Sequence, residues 1–299
     1  MPKILVIGSS NTDMVVKTSR FPQPGETIIG GEFFLFPGGK GANQAVAAAR
    51  MGGQVDLIAK VGQDIFGQQA IEGFAHEGIN VAYVMSDPKL ASGVALITVD
   101  ATGENEIVVA PGANAALMPG DLDRDDAAFA EADLVLMQLE TPLETLLHAA
   151  QKAHALNKKF VLNPAPAQDL PAELYSLLFL ITPNETEASL LTGIELDNEA
   201  ALPKIAEALL KKGVANVIIT LGAKGAYFHN ASQQFKIPAP KVQAVDTTAA
   251  GDVFNGALAV ALAEGMDWPQ AIDMACRAGA IAVTRMGAQA SAPFREELG

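Results

Sequence analysis

A run of small residues that ends in an acid occupies positions 245–252 of the sequence, and apolar residues at helical spacing follow it. This pattern predicts a tight turn that leads into a helix with Asp252 in its first turn. The first turn of a helix has backbone N–H groups without partners and the positive end of the helix dipole, so it attracts anions. Asp252 therefore either caps the helix or accepts a proton from a hydroxyl group that attacks a bound phosphoryl group.

Two polar motifs near the N-terminus have the composition of a ligand site. Asn11 and Asp13 follow the first predicted strand and, in an extended chain, project to the same side. Residues 37–44 place three glycines beside Lys40 and Asn43 ahead of an alanine-rich helix, which favours a ligand-binding loop over a plain turn. Lys40 is not followed by Ser or Thr as in a Walker motif, and no dinucleotide-binding glycine pattern follows a strand.

Later polar positions allow both a ligand-binding and a structural interpretation. Asn184 and Glu187 lie three apart at a predicted helix start, where they either cap the helix or hold the water shell of Mg²⁺. Residues 220–225 end a strand and open a turn that either lies against a nucleotide or serves only as a turn. Cys276 is the only cysteine, so no intramolecular disulfide forms, and its apolar helical spacing predicts a packed core position. The four histidines lack metal-ligand spacing.

The composition indicates one large α/β domain with a small appendage. The 299 residues are 49% hydrophobic, which is enough for an extensive buried core. The net charge of −14, from 20 Lys and Arg against 34 Asp and Glu, argues against nucleic acid or an anionic membrane as a partner. Residues 1–8 predict a buried strand and not a signal peptide, and no apolar stretch reaches the length of a membrane span, so we expect a cytoplasmic protein.

The order of predicted elements indicates a doubly wound α/β fold with a mainly parallel sheet between helices. From residue 55 onward strands mostly alternate with helices, which is the pattern of a parallel sheet covered on both faces. Two stretches, 14–36 and 92–110, predict strand after strand, including one at residues 26–29, and together they predict a small β-sheet lid. Ligands of parallel sheets bind beyond the carboxyl ends of the strands, where we expect the polar motifs to meet.

Four motifs make the chain similar to the ribokinase-like family of carbohydrate kinases, from residue 4 to residue 297. They are Asn11-Thr12-Asp13 and the segments 37–45, 246–252 and 282–291. The resemblance implies an α/β domain formed by residues 1–12, 37–90 and 111–299, and a lid formed by 13–36 and 91–110, through which the protein forms a homodimer. It also implies ATP-dependent phosphorylation of D-ribose at its 5-hydroxyl, with deoxyribose or a nucleoside such as adenosine as the alternative substrate.

The same resemblance implies roles for individual residues. Asp252 resembles the catalytic base, and the backbone amides of Ala249, Ala250 and Gly251 resemble the anion hole. The implied sugar ligands, besides Asp252, are Asn11, Asp13, Gly39, Lys40, Asn43 and Glu140. The implied nucleotide contacts are Asn184, Glu187 (near Mg²⁺), Thr220, Gly222, Lys224, Gly225, Gly251 and Cys276. The implied ligands of an activating monovalent cation, K⁺, are Asp246, Thr248, Ala282, Arg285, Gly287 and Ser291. Ala249 departs from the family pattern, which usually has glycine at this position.

Overall fold

The fold consists of two β-sheets and the helices that cover the larger one. The structure, a computed structural model, describes all 299 residues. Its strands are β1 (Lys3–Ile7), β2 (Asn11–Lys17), β3 (Glu32–Gly38), β4 (Gln54–Gly62), β5 (Val84–Asp87), β6 (Gly93–Val99), β7 (Asn105–Ala110), β8 (Leu134–Met137), β9 (Lys159–Leu162), β10 (Leu180–Ile181), β11 (Asn216–Thr220), β12 (Ala226–Asn230) and β13 (Gln234–Ile237). Its α-helices are α1 (Lys40–Arg50), α2 (Ile65–His76), α3 (Pro119–Leu122), α4 (Asp126–Glu131), α5 (Leu143–Ala155), α6 (Ala172–Tyr175), α7 (Glu185–Thr192), α8 (Leu202–Lys211), α9 (Ala250–Ala263) and α10 (Trp268–Ala282).

The larger sheet has nine strands in the order β13-β12-β11-β10-β9-β8-β1-β4-β5. The strands from β11 to β5 pair in parallel, whereas β12 and β13 add antiparallel at one edge. Alternate residues of β1 belong to different buried apolar clusters: Ile4 and Val6 pack with α1, α9 and α10, while Leu5 and Ile7 pack with α5, α7 and α8. Both faces of the sheet are therefore covered, which confirms the predicted doubly wound α/β fold.

The smaller sheet has four strands in the order β3-β2-β6-β7 and comes from the two strand-only stretches. β2 pairs antiparallel with β3 and parallel with β6, and β7 forms an antiparallel edge. The predicted strand at residues 26–29 is wrong, because this stretch pairs with no strand and leaves Ile29 95% exposed. Gly30 and Gly31, which follow it, both have positive φ and interrupt the extended chain.

The carboxyl edge of the larger sheet is where the predicted motifs meet. The segments that follow β9, β10 and β11 lie there together with the starts of α1, α7 and α9. The sequence pattern does not predict β5, an edge strand of mixed polarity, or the short helices α3, α4 and α6. None of the helices combines the length and the apolar character that crossing a lipid bilayer requires.

Candidate active site

The turn before α9 leaves backbone N–H groups free at the start of a long helix. Ala249 adopts the left-handed conformation, with φ 58° and ψ 9°, and no side chain caps the helix. The N–H groups of Gly251 and Asp252 donate to no acceptor in the chain, and that of Ala250 reaches the Thr247 carbonyl oxygen only at 3.4 Å. These donors and the helix dipole suit the turn to bind an anion. The left-handed conformation costs alanine about 1 kcal/mol relative to glycine, which explains the family's preference for glycine here.

The carboxylate of Asp252 is buried between α1 and α9. Its Oδ2 accepts a hydrogen bond from Asn43 Nδ2 at 2.9 Å, and its Oδ1 accepts one from Gln44 Nε2 at 3.0 Å. The helices approach closely because residue 256 is glycine, since a Cβ there would lie 2.7 Å from the Gln44 carbonyl oxygen. Burial leaves Asp252 only 6% exposed and raises the pKa of its carboxyl, while the Lys40 charge and the two amides act in the opposite direction.

Four carboxylates surround one ammonium group at this edge of the sheet. Burial and the charges of Glu140 and Asp252 raise the pKa of Asp13 to about 6. Burial opposes the charge of Lys40, but the carboxylates around it, Asp252 foremost, raise its pKa. Burial also raises the pKa of Glu187. Glu140 accepts a hydrogen bond from the Lys40 backbone N–H at 2.9 Å, so it also caps α1.

The glycines before α1 bring the smaller sheet against this cluster. A Cβ on Gly38 would lie 2.3 Å from Asp13 Oδ2, and one on Gly39, whose φ is +90°, would lie 2.7 Å from the Asn11 backbone nitrogen. Asn11 and Asp13 therefore lie directly beside the glycine-rich loop. In the first turn of α1, beside that loop, Asn43 Oδ1 is buried without a hydrogen-bond partner in the chain, so it can accept a hydrogen bond from a ligand hydroxyl.

A cavity of about 200 Å³ opens beside the free N–H groups of α9. Its lining is polar and comes from separate parts of the chain. The lining residues are Lys40, Asn163, Ala165, Thr182, Asn184, Glu187, Thr220, Thr247, Ala249, Ala250, Gly251, Asp252 and Asn255. The predicted base, the predicted anion-binding amides and four predicted nucleotide contacts (Asn184, Glu187, Thr220 and Gly251) thus share one cavity.

Asn184 and Glu187 form a reciprocal cap at the start of α7. Asn184 Oδ1 accepts a hydrogen bond from the Glu187 N–H at 2.8 Å, and a carboxylate oxygen of Glu187 accepts one from the Asn184 N–H at 2.9 Å. The prediction that this pair caps the helix is therefore confirmed. Both side chains also line the cavity, so the cap fixes the Glu187 carboxylate at its wall.

The other predicted nucleotide contacts lie outside the lining of this cavity. Gly222 and Lys224 belong to a short 3₁₀ turn after β11. Gly225 has φ +97°, and a Cβ there would lie 1.9 Å from the Ile237 carbonyl oxygen, so packing alone requires glycine. Cys276 lies in the apolar core, where burial raises the pKa of its thiol to about 12. Contact of these residues with a nucleotide stays a prediction.

The predicted cation ligands are divided between the turn before α9 and the end of α10 with the segment that follows it. Asp246 joins the two, because its carboxylate accepts hydrogen bonds from the N–H groups of Thr248 and Gly287, each at 2.9 Å. Burial works against the charge of Asp246, but these hydrogen bonds lower its pKa. A carboxylate that remains ionised in a half-buried position is a suitable oxygen ligand for a cation.

Three backbone carbonyl groups in the same two segments are free to bind a cation. Those of Thr248, Arg285 and Gly287 accept no hydrogen bond within the chain, and carbonyl oxygens are what K⁺ selects. The Ala282 carbonyl accepts one hydrogen bond, from the Arg285 N–H at 3.0 Å, and the Ser291 hydroxyl donates one to a neighbouring carbonyl, so each oxygen keeps a lone pair for a cation. The Arg285 guanidinium is positively charged and has no acceptor, so only the backbone carbonyl of Arg285 can bind a cation; the guanidinium itself pairs with Glu297.

Four buried polar residues of the site had no individual role predicted from the sequence: Gln44, Asn163, Thr182 and Asn255. Gln44 Nε2 donates to both Asp252 and Asn163, and the Thr182 hydroxyl donates to Asn255 Oδ1 at 2.6 Å. Two signals pointed to them. Gln44 is a long polar residue in an alanine-rich helix, and Asn163 and Thr182 each follow a buried strand at its carboxyl end.

The model of the pfkB family of carbohydrate kinases matches residues 1–295 of the sequence. The chain belongs to this family. The resemblance drawn from the four motifs is thereby confirmed, and the buried acid beside the turn before α9 belongs to a kinase.

This pfkB kinase is similar to known ribokinases over nearly its whole length. It is 46% identical over 294 residues to the ribokinase of Haemophilus influenzae, a match that covers 98% of this chain and 96% of that protein. The deoxyribokinase of Salmonella typhi is 39% identical over 296 residues, which cover 99% of this chain and 97% of that protein. The structure of Arabidopsis thaliana ribokinase complexed with ribose and ATP has a TM-score of 0.94 at 31% identity, and covers 99% of this chain and 97% of that chain.

Proposed function

We propose that this enzyme transfers the γ-phosphoryl group of ATP to the 5-hydroxyl of D-ribose, which gives ribose 5-phosphate and ADP. The observation that carries the proposal is the buried Asp252 carboxylate, which shares one cavity with the free N–H groups of α9. Similarity to ribokinases over nearly the whole chain supports the choice of sugar. The similarity to a ribokinase solved with ribose and ATP supports the choice of phosphoryl donor.

The sugar would be held by polar groups on two sides. Asp13 on β2 accepts hydrogen bonds from ring hydroxyls, and so does the free Oδ1 of Asn43 on α1. The proposed contacts that complete the sugar site are Asn11, Gly39, Lys40 and Glu140. A sugar that lacks one of the hydroxyls leaves buried polar groups unpaired, which gives such a site strong discrimination.

Proton transfer and charge neutralisation would then come from the start of α9. Asp252 accepts the proton of the sugar hydroxyl, and little basicity is required because the proton leaves late in a loose transition state. The N–H groups at residues 249–252 stabilise the negative charge on the phosphoryl oxygens, and the Lys40 ammonium adds a positive charge at the same edge.

We assign the nucleotide side of the cavity to the phosphates of Mg²⁺-bound ATP. Asn184, Glu187 and Thr220 line it, and the cap of α7 holds the Glu187 carboxylate where it can accept hydrogen bonds from water on the ion. When bound, Mg²⁺ supplies positive charge to the phosphates. We place Gly222, Lys224, Gly225 and Cys276 farther along the nucleotide.

A substrate panel tests the proposed function. ADP release is measured with ATP and, in turn, D-ribose, 2-deoxy-D-ribose, D-fructose or adenosine. We expect the highest kcat/KM with D-ribose. Because a deoxyribokinase is 39% identical to this chain, 2-deoxy-D-ribose is the second candidate substrate. A higher kcat/KM with 2-deoxy-D-ribose than with D-ribose would make it the proposed substrate. Absence of ADP release with every compound, from protein that remains folded, would reject kinase activity on these substrates.

The free carbonyl groups around Asp246 support a proposed site for an activating monovalent cation. We propose that K⁺ binds the carboxylate of Asp246 and the carbonyl groups of Thr248, Arg285 and Gly287, with Ala282 and Ser291 completing the site. Bound K⁺ would order the turn that carries the anion-binding amides without contacting the sugar. We expect kcat to fall about fivefold or more when K⁺ is replaced by choline at equal ionic strength. Equal rates in K⁺, Na⁺ and choline buffers would contradict this site.

The smaller sheet, with residues 13–36 and 91–110, is proposed as a lid and as the interface of a homodimer. Across it, Leu35 pairs with Met14, Met14 with Leu96, and Leu96 with Val108, which makes an apolar row. Three members of the row are more than 40% exposed, and strand alternation puts it on the face opposite Asp13. An exposed apolar row of this kind is typical of a surface that another chain covers.

We therefore expect a dimer in sedimentation equilibrium at micromolar concentration. Leu96→Lys should shift it to monomer, because the charge would be buried in the interface without a partner. The control is Ile65→Lys, which changes an equally exposed apolar side chain on α2. A monomeric wild type, or a Leu96→Lys protein that remains dimeric, would exclude this interface.

A further inference from the structure

Gln44 holds the second oxygen of the Asp252 carboxylate, and the proposed sugar, nucleotide and cation sites do not include it. Its Nε2 lies 3.0 Å from Asp252 Oδ1, on the opposite oxygen from the one that Asn43 contacts. Gln44 comes from α1, one residue after Asn43, and its side chain is fully buried. It therefore contacts the proposed base from a position that a sugar does not need to touch.

The amide of Gln44 has only one orientation that satisfies its neighbours. A glutamine amide offers two N–H donors and one carbonyl acceptor. Here both donors are used, one by Asp252 and one by Asn163 Oδ1 at 3.0 Å, and the acceptor receives a hydrogen bond from Gln138 Nε2 at 2.6 Å. A flipped amide would place its oxygen against the carboxylate and its N–H groups against the Gln138 donor.

Gln138, which directly follows β8, helps to hold the Gln44 amide in this orientation by donating to its carbonyl oxygen. Its own carbonyl oxygen is buried without a partner, beside Gly8, where a Cβ would lie 2.2 Å from it. Its Nε2 donates to the Gln44 acceptor, and a flipped Gln138 amide would instead place one carbonyl oxygen against the other. Gln138 is 1% exposed and Gln44 is 0% exposed, so water does not compete for these hydrogen bonds.

The surroundings of Asp252 make these neutral donors important. Asp13 from β2, Glu140 from the segment after β8 and Glu187 from α7 all add negative charge near Asp252, and Lys40 from α1 is the one cation that opposes them. Burial favours the protonated acid further, and a protonated acid cannot take a proton from a hydroxyl.

We propose that Gln44 is a positioning residue that aims the Asp252 carboxylate and keeps it ionised, and that Gln138 in turn orients Gln44. This inference rests on the proposed function, because it concerns the proton transfer of the same reaction. Gln44 acts through Asp252 and does not itself contact the reacting atoms.

The experiment compares kcat as a function of pH, with ribose and ATP, for the wild type, Gln44→Met and Gln138→Met. Methionine keeps the length and volume of glutamine but donates no hydrogen bond. We expect Gln44→Met to lower kcat about tenfold to a hundredfold at pH 7, with the acidic limb displaced upward by about one pH unit. Part of the loss should then be recovered at high pH. Gln138→Met should also lower kcat at pH 7 and displace the acidic limb upward, but by smaller amounts than Gln44→Met. The KM for ATP should be unchanged in both variants.

The control is Gln151→Met, which changes an exposed glutamine of α5 and should match the wild type. If kcat for Gln44→Met falls by the same factor at every pH, the loss is a general packing effect and the proposal is overturned. An unchanged kcat would also overturn it. If Gln44→Met does not fold, an unchanged pH profile for Gln138→Met overturns it. A wild type that phosphorylates none of the sugars rejects the proposed function first, and with it this role.

Discussion

Asp252→Asn should lower kcat by about a hundredfold or more and change the KM for ribose only modestly. Asparagine preserves the shape of the side chain between α1 and α9, but it cannot accept the proton of the sugar hydroxyl. The groups proposed to hold the sugar, including Asp13 and Asn43, stay in place, so the binding of ribose should change little. Steady-state kinetics with a coupled ADP assay, together with ribose binding by calorimetry, separate the two effects.

Asp169→Asn is the matched control, because it removes an exposed carboxylate that makes no hydrogen bond in the chain. Its kcat and KM should equal those of the wild type. An Asp252→Asn protein that is folded and works at a rate near the wild type would exclude Asp252 as the base. The proposed mechanism would then lose its only proton acceptor at the start of α9.

Asp13→Asn should stabilise the protein and at the same time weaken its binding of ribose. The pKa of Asp13 is raised from the ordinary 3.8 to about 6, first by burial and then by the charges of Glu140 and Asp252. The folded state therefore holds this proton more tightly than the unfolded state, so ionisation destabilises the fold. The penalty is absent below about pH 4, grows as the pH rises, and is complete above about pH 6.

Asparagine removes that penalty, so its effect should depend on pH. We expect the free energy of unfolding to rise by about 1 to 3 kcal/mol at pH 8 and to change little at pH 4. At pH 8 the KM for ribose should rise at least about tenfold, since a carboxylate that accepts hydrogen bonds from sugar hydroxyls is lost. Urea unfolding at the two pH values measures the first effect and steady-state kinetics the second.

Asp169→Asn again serves as the control and should alter neither stability nor KM. An Asp13→Asn protein that is less stable than the wild type at pH 8 would mean that the carboxylate is favourably paired in the fold. An unchanged KM would remove Asp13 from the sugar site. The two outcomes are independent, so each tests one half of the prediction.

The order of elements and the local chemistry of the turns could be predicted from the sequence. The alternation of apolar strands and helices indicates a sheet covered on both faces. The structure confirms this, because alternate residues of β1 pack into the two apolar clusters on opposite faces of the sheet. The small residues before Asp252 predict a helix start with free N–H groups, as observed at α9. These features depend on residues close together in the chain, so periodicity and turn preferences carry the necessary information.

The surroundings of the Asp252 carboxylate were decided by the tertiary structure alone. Gln44 and Asp252 are 208 positions apart, and they meet only because Gly256 lets α1 and α9 pack closely. Asn163 and Gln138 follow predicted strands, which places them at this edge of the sheet, but their hydrogen bonds to Gln44 depend on how α1 packs against that edge. Hydrogen bonds between buried side chains depend on the packing of whole elements, and no local pattern in the sequence specifies that packing. The sequence alone therefore determined the turn with free N–H groups before α9. The side-chain amides that donate to Asp252 were determined only by the packing of α1 against α9.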